Sequence, residues 1–526
     1  MMSTAVRGPC DELAIRQGAS AAPCAKSAQR WVLVAAILGS SMAFIDGTVV
    51  NVALPAIQRD LGATVFEAQW VVESYALLLA ALLLVGGSLG DQFGRRRVFI
   101  IGVALFGAAS IACAASRDVQ QLIAARAVQG IGAALLVPGS LALISAAFPE
   151  RERGRAIGTW SGFSGITAAL GPVLGGYLVD HFSWAWAFLV NVPMVLGVLA
   201  IAWTRVPESR NPKASPRLDV RGALLATLGL GGVVYAFIEA PTQHWHSTRV
   251  LLALLVGIAA LLGFVVAEWR DDAPMVPLSF FRNRNFAGTN LLTLLLYAAL
   301  GGGLFFLPLN LIQVQGYSAT AAGAALLPFI LIMFVLSRWA GRLVDQFGPR
   351  WPLVVGPVIA ALGFAAFALP GSGGSYWISY FPAIVVLGFG MTVTVAPLTA
   401  TVMNAVGRDA SGTASGINNA VSRMAALLAI AMFGSLMAWA FDGRLGDALR
   451  AADVPPDLAA FVQSQRSKLA AVALPPGIDA GGAAAIHGAV AQAFIAGFRW
   501  IMGVSAALAL ASSLVAAVFV RSDATR

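Results

Sequence analysis

The sequence predicts an all-α integral membrane protein with about fourteen transmembrane helices, arranged as two six-helix halves with a central helix pair inserted between them. Three observations carry that expectation. The 526 residues are 58% hydrophobic and only 11% charged, with a mean hydropathy of +0.79, a composition foreign to soluble domains of this size. The chain divides into about fourteen apolar runs, each of roughly 18 residues or more, enough to cross ~30 Å of hydrocarbon. The stretch GSLGDQFGRRR at 87–97 returns in its centre as GRLVDQFGPR at 341–350. Each copy closes a long apolar run, so Asp-Gln-Phe-Gly marks the same joint of a duplicated unit.

Taken in order, the first run, 31–57, contains IDGTVVNVALP and holds Asp46 mid-span. The second, 68–90, carries Glu73 within QWVVESYALLLAALLL and ends on the joint. The third and fourth, 98–115 and 119–148, are separated by one short polar turn, and the fourth holds Arg126. The fifth, 154–179, is rich in glycine, and the sixth, 184–204, opens on WAWAFLVNVP. The seventh and eighth, 219–240 and 249–267, form the inserted pair, set off by the charged, proline-containing segments 205–221 and 268–285. The ninth to twelfth are 286–312, 319–341, 351–369 and 377–403, the tenth ending on the second Asp-Gln-Phe-Gly. The thirteenth, 411–438, and fourteenth, 493–520, flank a long segment, 439–492, read as a flexible or partly folded outer cap with short amphipathic helices.

The resulting organisation is a tail at 1–30, a first half at 31–204, the inserted pair with its linkers at 205–285, a second half at 286–520 and a tail at 521–526. The first tail lacks an apolar core of its own, which argues for a flexible tail and against a signal peptide. Duplicated units of this kind place a substrate cavity between the halves, near the bilayer midplane, and rocking of the halves alternates its exposure.

Charge orients the helices. Most of the 34 Lys and Arg lie on the tails and on connections after even-numbered runs, whereas the short connections on the other side hold only Arg59, Arg117 and Arg249. By the positive-inside bias both termini are cytoplasmic. The net charge of +9 therefore reflects topology and calls for no nucleic-acid partner. Arg far outnumbers Lys, and Ala and Gly abound, as in a GC-rich bacterial genome, so the expected location is a bacterial cytoplasmic membrane.

Enzyme readings find little support. The lysines lack the preceding glycine of a Walker loop, so ATP-powered pumping is not encoded. His181, His244, His246 and His487 lie in or near outer connections without metalloprotease spacing, and a zinc site at His244 and His246 is weaker than plain solvation. Three cysteines give no disulfide framework. No metal or cofactor is expected.

An ionised side chain in hydrocarbon costs roughly 2.5–3.5 kcal/mol on insertion scales, so each one is a functional candidate. Asp46 and Glu73 can each lose and regain a proton as access alternates, and Arg126 is a plausible counter-charge. The alternative is a structural ion pair between one of these acids and Arg126. Glu239, near the outer end of the seventh run, is a further candidate for coupling or substrate binding, with snorkelling to the interface as the plainer reading. Arg423 lies within the thirteenth run. Polar residues (Asn51, Gln69, Asn191, Asn310, Asn418, Asn419) and aromatics (Trp160, Phe163, Tyr235, Phe305, Phe306) could line a cavity suited to amphipathic, often cationic compounds.

Several motifs in fixed order carry a family resemblance: IDGTVVNVALP at 45–55, the joint at 87–97, RAVQGIGAA at 126–134, GPVLGG at 171–176, WAWAFLVNVP at 184–193, GYSATAAGAALLP at 316–328 and GTASGINNAVSR at 412–423. Over nearly the whole chain, from Trp31 to Val520, the sequence resembles the fourteen-span drug:proton antiporters of the major facilitator superfamily. The resemblance implies the major facilitator fold and proton-driven efflux of drugs, antibiotics and other hydrophobic or cationic small molecules. It implies that Gly87, Asp91, Gly94, Arg95 and Arg96 form a cytoplasmic latch that breaks during the transport cycle, and that Arg126 takes part in proton coupling. It also implies that the pattern of Gly165, Gly171, Pro172, Gly175 and Gly176 marks an exporter. Physically, these glycines permit close helix packing, and Pro172 removes a backbone hydrogen bond. In the second joint Pro349 replaces the first Arg, which puts that latch in doubt. The expected partners are small-molecule substrates, protons and membrane lipid. Alternatives are a dedicated exporter of one natural product or metabolite, an uptake symporter, or a non-transporting membrane sensor on the same fold.

Overall fold

The computed structural model describes residues 26–210, 219–271, 274, 276–406, 411–474 and 477–521. The expectations for most of both tails and for the middle of the first linker fall outside the described residues.

Among the described residues fourteen helices are long and apolar enough to cross a membrane. They are built on α1 (Lys26–Leu61), α2 (Val65–Phe93), α3 (Arg95–Ala114), α4 (Val119–Ala147), α5 (Glu150–His181), α6 (Asn191–Arg205), α7 (Val220–Gln243), α8 (Thr248–Arg270), α9 (Arg284–Leu309), α10 (Leu327–Phe347), α11 (Arg350–Phe367), α12 (Phe381–Asn404), α13 (Ser411–Ala451) and α14 (Ala480–Phe519), the span of α6 starting at Trp186, that of α9 running to Val314 and that of α10 starting at Ala319.

Helix starts follow local chemistry. Asp118 accepts from the Gln121 amide ahead of α4, and Asn283 accepts from two amides ahead of α9, each satisfying donors that a helix start leaves open. α6 follows a short helical turn, Trp186–Leu189, with Pro193 in its first turn, where a missing amide hydrogen costs little. The apolar runs understate several helices. The 41 residues of α13 span ~60 Å, about twice the hydrocarbon thickness, because a helix continues where caps and packing hold it rather than where hydropathy falls. Much of 439–492 is therefore helix, joined through Pro456–Ser464 and a 3-10 turn at Arg466–Ala471. Asp479 caps α14 by accepting from the Gly482 amide.

The chain forms two compact units. The first comprises the chain up to Val50, Val71–Thr227 and Asp271–Met275. Its core joins Val32 and Met42 of α1, Tyr75 and Leu79 of α2, Phe99 and Phe106 of α3, Leu136 of α4 and Val198 of α6. Gly102 of α3 and Gly132 of α4 face each other's backbones so closely that a methyl group on either has no room. The second unit comprises Asn51–Trp70, Leu228–Arg270 and Val276 onward. In it α11 and α12 meet through Gly356 and Gly390, and α7 and α8 meet through Gly229, Gly232 and Gly257. The adjoining ends of α1 and α2 belong to this unit: Gln313 Nε2 donates to Gln58 Oε1 at 2.9 Å, and Gln69 Nε2 donates to the Ile430 carbonyl at 2.9 Å. Ser435 of α13 donates to the Phe237 carbonyl of α7.

Candidate functional site

The first unit contains a sealed polar cluster built on Asp46. Its Oδ2 lies 2.5 Å from Arg126 Nη1, and its Oδ1 accepts from Gln129 Nε2 at 2.8 Å and Asn191 Nδ2 at 3.2 Å. Asp46 is 0% exposed and Arg126 1%. Gln129 follows Arg126 by three residues on α4, so one helix face presents both side chains to α1. Gln129 Nε2 also donates to Ser110 Oγ of α3 at 2.9 Å. Desolvation of two charges is offset only when hydrogen bonds complete the pair, and these neutral groups supply them.

Arg126 has contacts independent of the carboxylate. Its Nε donates to the Val71 carbonyl at 3.0 Å, and its Nη1 donates to Gln129 Oε1 at 2.6 Å. Its guanidinium sits 4.2 Å from the Tyr75 ring centre and 5.7 Å from that of Phe188, within cation–π range. The guanidinium therefore keeps anchors that do not depend on Asp46. Cys113 joins the rim, its Sγ 3.6 Å from Gln129 Oε1.

Glu73 is fully buried in α2, and neither carboxylate oxygen has a hydrogen-bond partner among the described residues. It is not paired with Arg126, which separates it from the structural ion pair that the sequence left open. Glu239 is half-buried and accepts from Trp70 Nε1 at 3.4 Å, Gln243 Nε2 at 2.9 Å and Thr242 Oγ1 at 3.4 Å. The Trp70 and Tyr235 rings lie 6.2 Å apart beside it. The start of α2 thus packs on the end of α7 and holds Glu239.

The joint at 87–97 is compact. Arg95 holds Asp91 through Nε and Nη2, both 2.8 Å from Oδ1. Gly94 has φ of +115°, a conformation open to glycine, and a Cβ there would collide with the Glu208 carboxylate. Glu208 accepts from the amides of Arg96 at 3.0 Å and Arg97 at 3.2 Å, so a side chain from the linker caps α3. Arg96 Nη1 donates to the Val206 carbonyl at 3.0 Å, and the Arg95 amide donates to the Ser209 carbonyl at 2.9 Å. Gly87 faces Pro138 of α4 at ordinary contact distance. The side chain of Asp345, in the second joint, lies outside the described features.

In α5 the glycine pattern divides. A Cβ on Gly171 would strike Thr48, and one on Gly175 would strike Val49, so these two set the contact with α1. Pro172 and Gly176 are buried on the same stretch. Gly165 has open space where a Cβ would stand and takes no part in that contact. Of the other polar positions, Asn310 accepts from Tyr380 Oη at 3.1 Å, Asn418 donates to Thr293 Oγ1 at 2.7 Å, and Trp160 Nε1 donates to Ser40 Oγ at 3.0 Å. Phe305 and Phe306 are buried packing residues, whereas Phe163 is exposed.

Gln129, Ser110 and Glu208 were not singled out by the sequence. Gln129 was within reach, since it stands one turn from Arg126 in the quoted motif. Glu208 sits in a charged linker, where nothing in the sequence distinguishes a capping carboxylate from a solvated one.

Comparison with known proteins agrees with this architecture. Residues 36–430 match the family model of the Major Facilitator Superfamily. The multidrug resistance protein Stp of Mycobacterium tuberculosis is 36% identical over 411 residues, 78% of this chain and 76% of its own length. The tetracenomycin C resistance and export protein of Streptomyces glaucescens is 33% identical over 491 residues, covering 92% and 90%. The methylenomycin A resistance protein of Bacillus subtilis is 35% identical over 409 residues, covering 77% and 87%. Among solved structures, a bacterial homologue of the human lysosomal transporter Spinster, inward-facing and unoccupied, superposes with a TM-score of 0.65 at 18% identity, covering 93% of this chain and 98% of that one.

Proposed function

The chain belongs to the Major Facilitator Superfamily, and from that premise we propose that it exports hydrophobic or cationic small molecules, drugs and antibiotics among them, across a bacterial cytoplasmic membrane in exchange for protons. It is a multi-pass transporter and not an enzyme. Relatives named for resistance to, or export of, tetracenomycin C and methylenomycin A support the outward direction.

The observation that carries the coupling is the sealed Asp46–Arg126 pair. Asp46 takes up a proton when the cavity opens to the acidic side and loses it on the other, while Arg126 stays held by Val71, Gln129 and two aromatic rings. One charge moved through ~100 mV yields about 2.3 kcal/mol, enough for about fiftyfold accumulation without a pH difference. Glu73, buried and bare, meets the cationic portion of a substrate. Both termini are cytoplasmic in this reading, so the Asp91 joint lies on the cytoplasmic side and Asp91–Arg95 with the Glu208 cap forms its latch. Two six-helix halves, with α7 and α8 inserted between them, alternate access.

The test is drug accumulation in cells that express the protein. Accumulation falls relative to cells without it and recovers on adding a protonophore. Accumulation that stays low under protonophore points to another energy source. A narrower reading, export of one natural product, is favoured by the relatives named for a single antibiotic, and a panel spanning cationic and neutral compounds separates the two.

A further inference from the structure

Asp46 carries the proton only if some group can accept the O–H it gains. An ionised carboxylate accepts at both oxygens, whereas the protonated form must also donate. Oδ2 faces the Arg126 guanidinium, which has donors alone, so the proton belongs on Oδ1. Two side chains face Oδ1, Gln129 and Asn191, and both present amide nitrogens to it.

The two differ in what turning would lose. Gln129 Oε1 already accepts from Arg126 Nη1 at 2.6 Å and lies 3.6 Å from Cys113 Sγ, so rotating that carboxamide breaks both contacts. Ser110 Oγ is engaged as well, donating to the Phe106 carbonyl and accepting from Gln129. Asn191 is fully buried, yet its Oδ1 has no hydrogen-bond partner among the described residues. A buried orphan acceptor is costly and calls for an explanation. Turning the Asn191 carboxamide about Cβ–Cγ exchanges Nδ2 and Oδ1 and sacrifices only a 3.5 Å contact to Ser110 besides the bond to Asp46 itself.

We propose that Asn191 is the positioning residue that holds the proton on Asp46: its carboxamide donates to the carboxylate through Nδ2 and, once Asp46 is protonated, turns to accept the Asp46 O–H through Oδ1. The proton comes from water, the bond formed is O–H at Oδ1, and its later loss to water restores the carboxylate. The inference rests on reading Asp46 as the proton carrier. The charged and titratable groups that the contacts bring to this cluster are Arg126 of α4, Cys113 of α3 and Tyr75 of α2. Of these, Arg126 only donates, Cys113 faces Gln129, and the Tyr75 hydroxyl is directed at the Ala43 carbonyl.

Infrared difference spectra of the full-length protein in lipid, taken between acidic and alkaline buffer, test this. Protonated Asp46 gives a carboxylic C=O band, identified by its loss in Asp46→Asn. In Asn191→Leu the band moves to higher wavenumber, because the O–H has lost its acceptor, and Asn191→Ala serves if the leucine variant fails to fold. In Ser110→Ala the band stays in place. A band that Asp46→Asn removes but both Asn191 variants leave unmoved overturns the role of Asn191 and leaves Asp46 as carrier. An equal move in Ser110→Ala overturns it too, as general repacking. The absence of any band removed by Asp46→Asn overturns the carrier reading and this inference together.

Discussion

Arg126 Nη1 lies 2.5 Å from Asp46 Oδ2 across 80 residues of sequence, and both side chains are closed to solvent. The pair is asymmetric: Arg126 keeps four other contacts, while the carboxylate accepts hydrogen bonds from Arg126, Gln129 and Asn191. In the proposed transport cycle that asymmetry gives the change of charge to Asp46 and a fixed position to Arg126.

Removing the fixed member leaves a buried carboxylate without its partner. Arg126→Ala is expected to lose about 3–5 kcal/mol of stability together with all transport. Arg126→Lys keeps the charge but loses the fork that reaches Val71 and Gln129, so it retains more stability and little transport. Thermal unfolding in detergent alongside vesicle transport separates the two variants.

Glu73 predicts a substrate-dependent phenotype. Glu73→Gln weakens export of monovalent cationic compounds by roughly tenfold, about 1.4 kcal/mol, and spares neutral ones. Competition against a fluorescent substrate measures both classes, and equal loss in both contradicts a role in cation recognition.

The joint is set by Gly94 and Glu208. Gly94→Ala forces a methyl group against the Glu208 carboxylate at a φ that side chains rarely adopt, for a loss of about 1–3 kcal/mol. Glu208→Ala removes the cap on α3 and costs about 0.5–2 kcal/mol. Unfolding midpoints of the purified variants check both, and an unchanged midpoint in Glu208→Ala removes the cap from the account.

Gly171→Val and Gly175→Val push α5 away from Thr48 and Val49 of α1, and transport is expected to fall at least tenfold. Gly165→Val, with open space around it, changes transport little. Matched expression of the three variants, read against their transport rates, tests whether the glycine pattern acts through the α1 contact.

The helices were legible because hydrocarbon leaves few choices: apolar length alone placed all fourteen, and the cost of burying charge singled out Asp46, Glu73 and Arg126. Their ends were less legible, since α13 and α14 continue well past the fall in hydropathy. Neutral polar partners were harder still. In the sequence Asn191 is one of several polar residues at span depth, and Gln129 and Ser110 carry no charge to mark them, although together they complete the shell around Asp46. Glu208 was hidden by composition, because a capping carboxylate and a solvated one look alike in a charged linker. Glu239 could not be read because its partner Trp70 lies 169 residues away.

The central claim, that Asp46 exchanges a proton for drug, is tested most directly in energised inverted membrane vesicles loaded with a pH-sensitive dye. Adding a substrate drug is expected to release protons from vesicles with the native protein and to release none from vesicles with Asp46→Asn at equal protein content. Substrate-induced proton release that persists undiminished in Asp46→Asn contradicts the account.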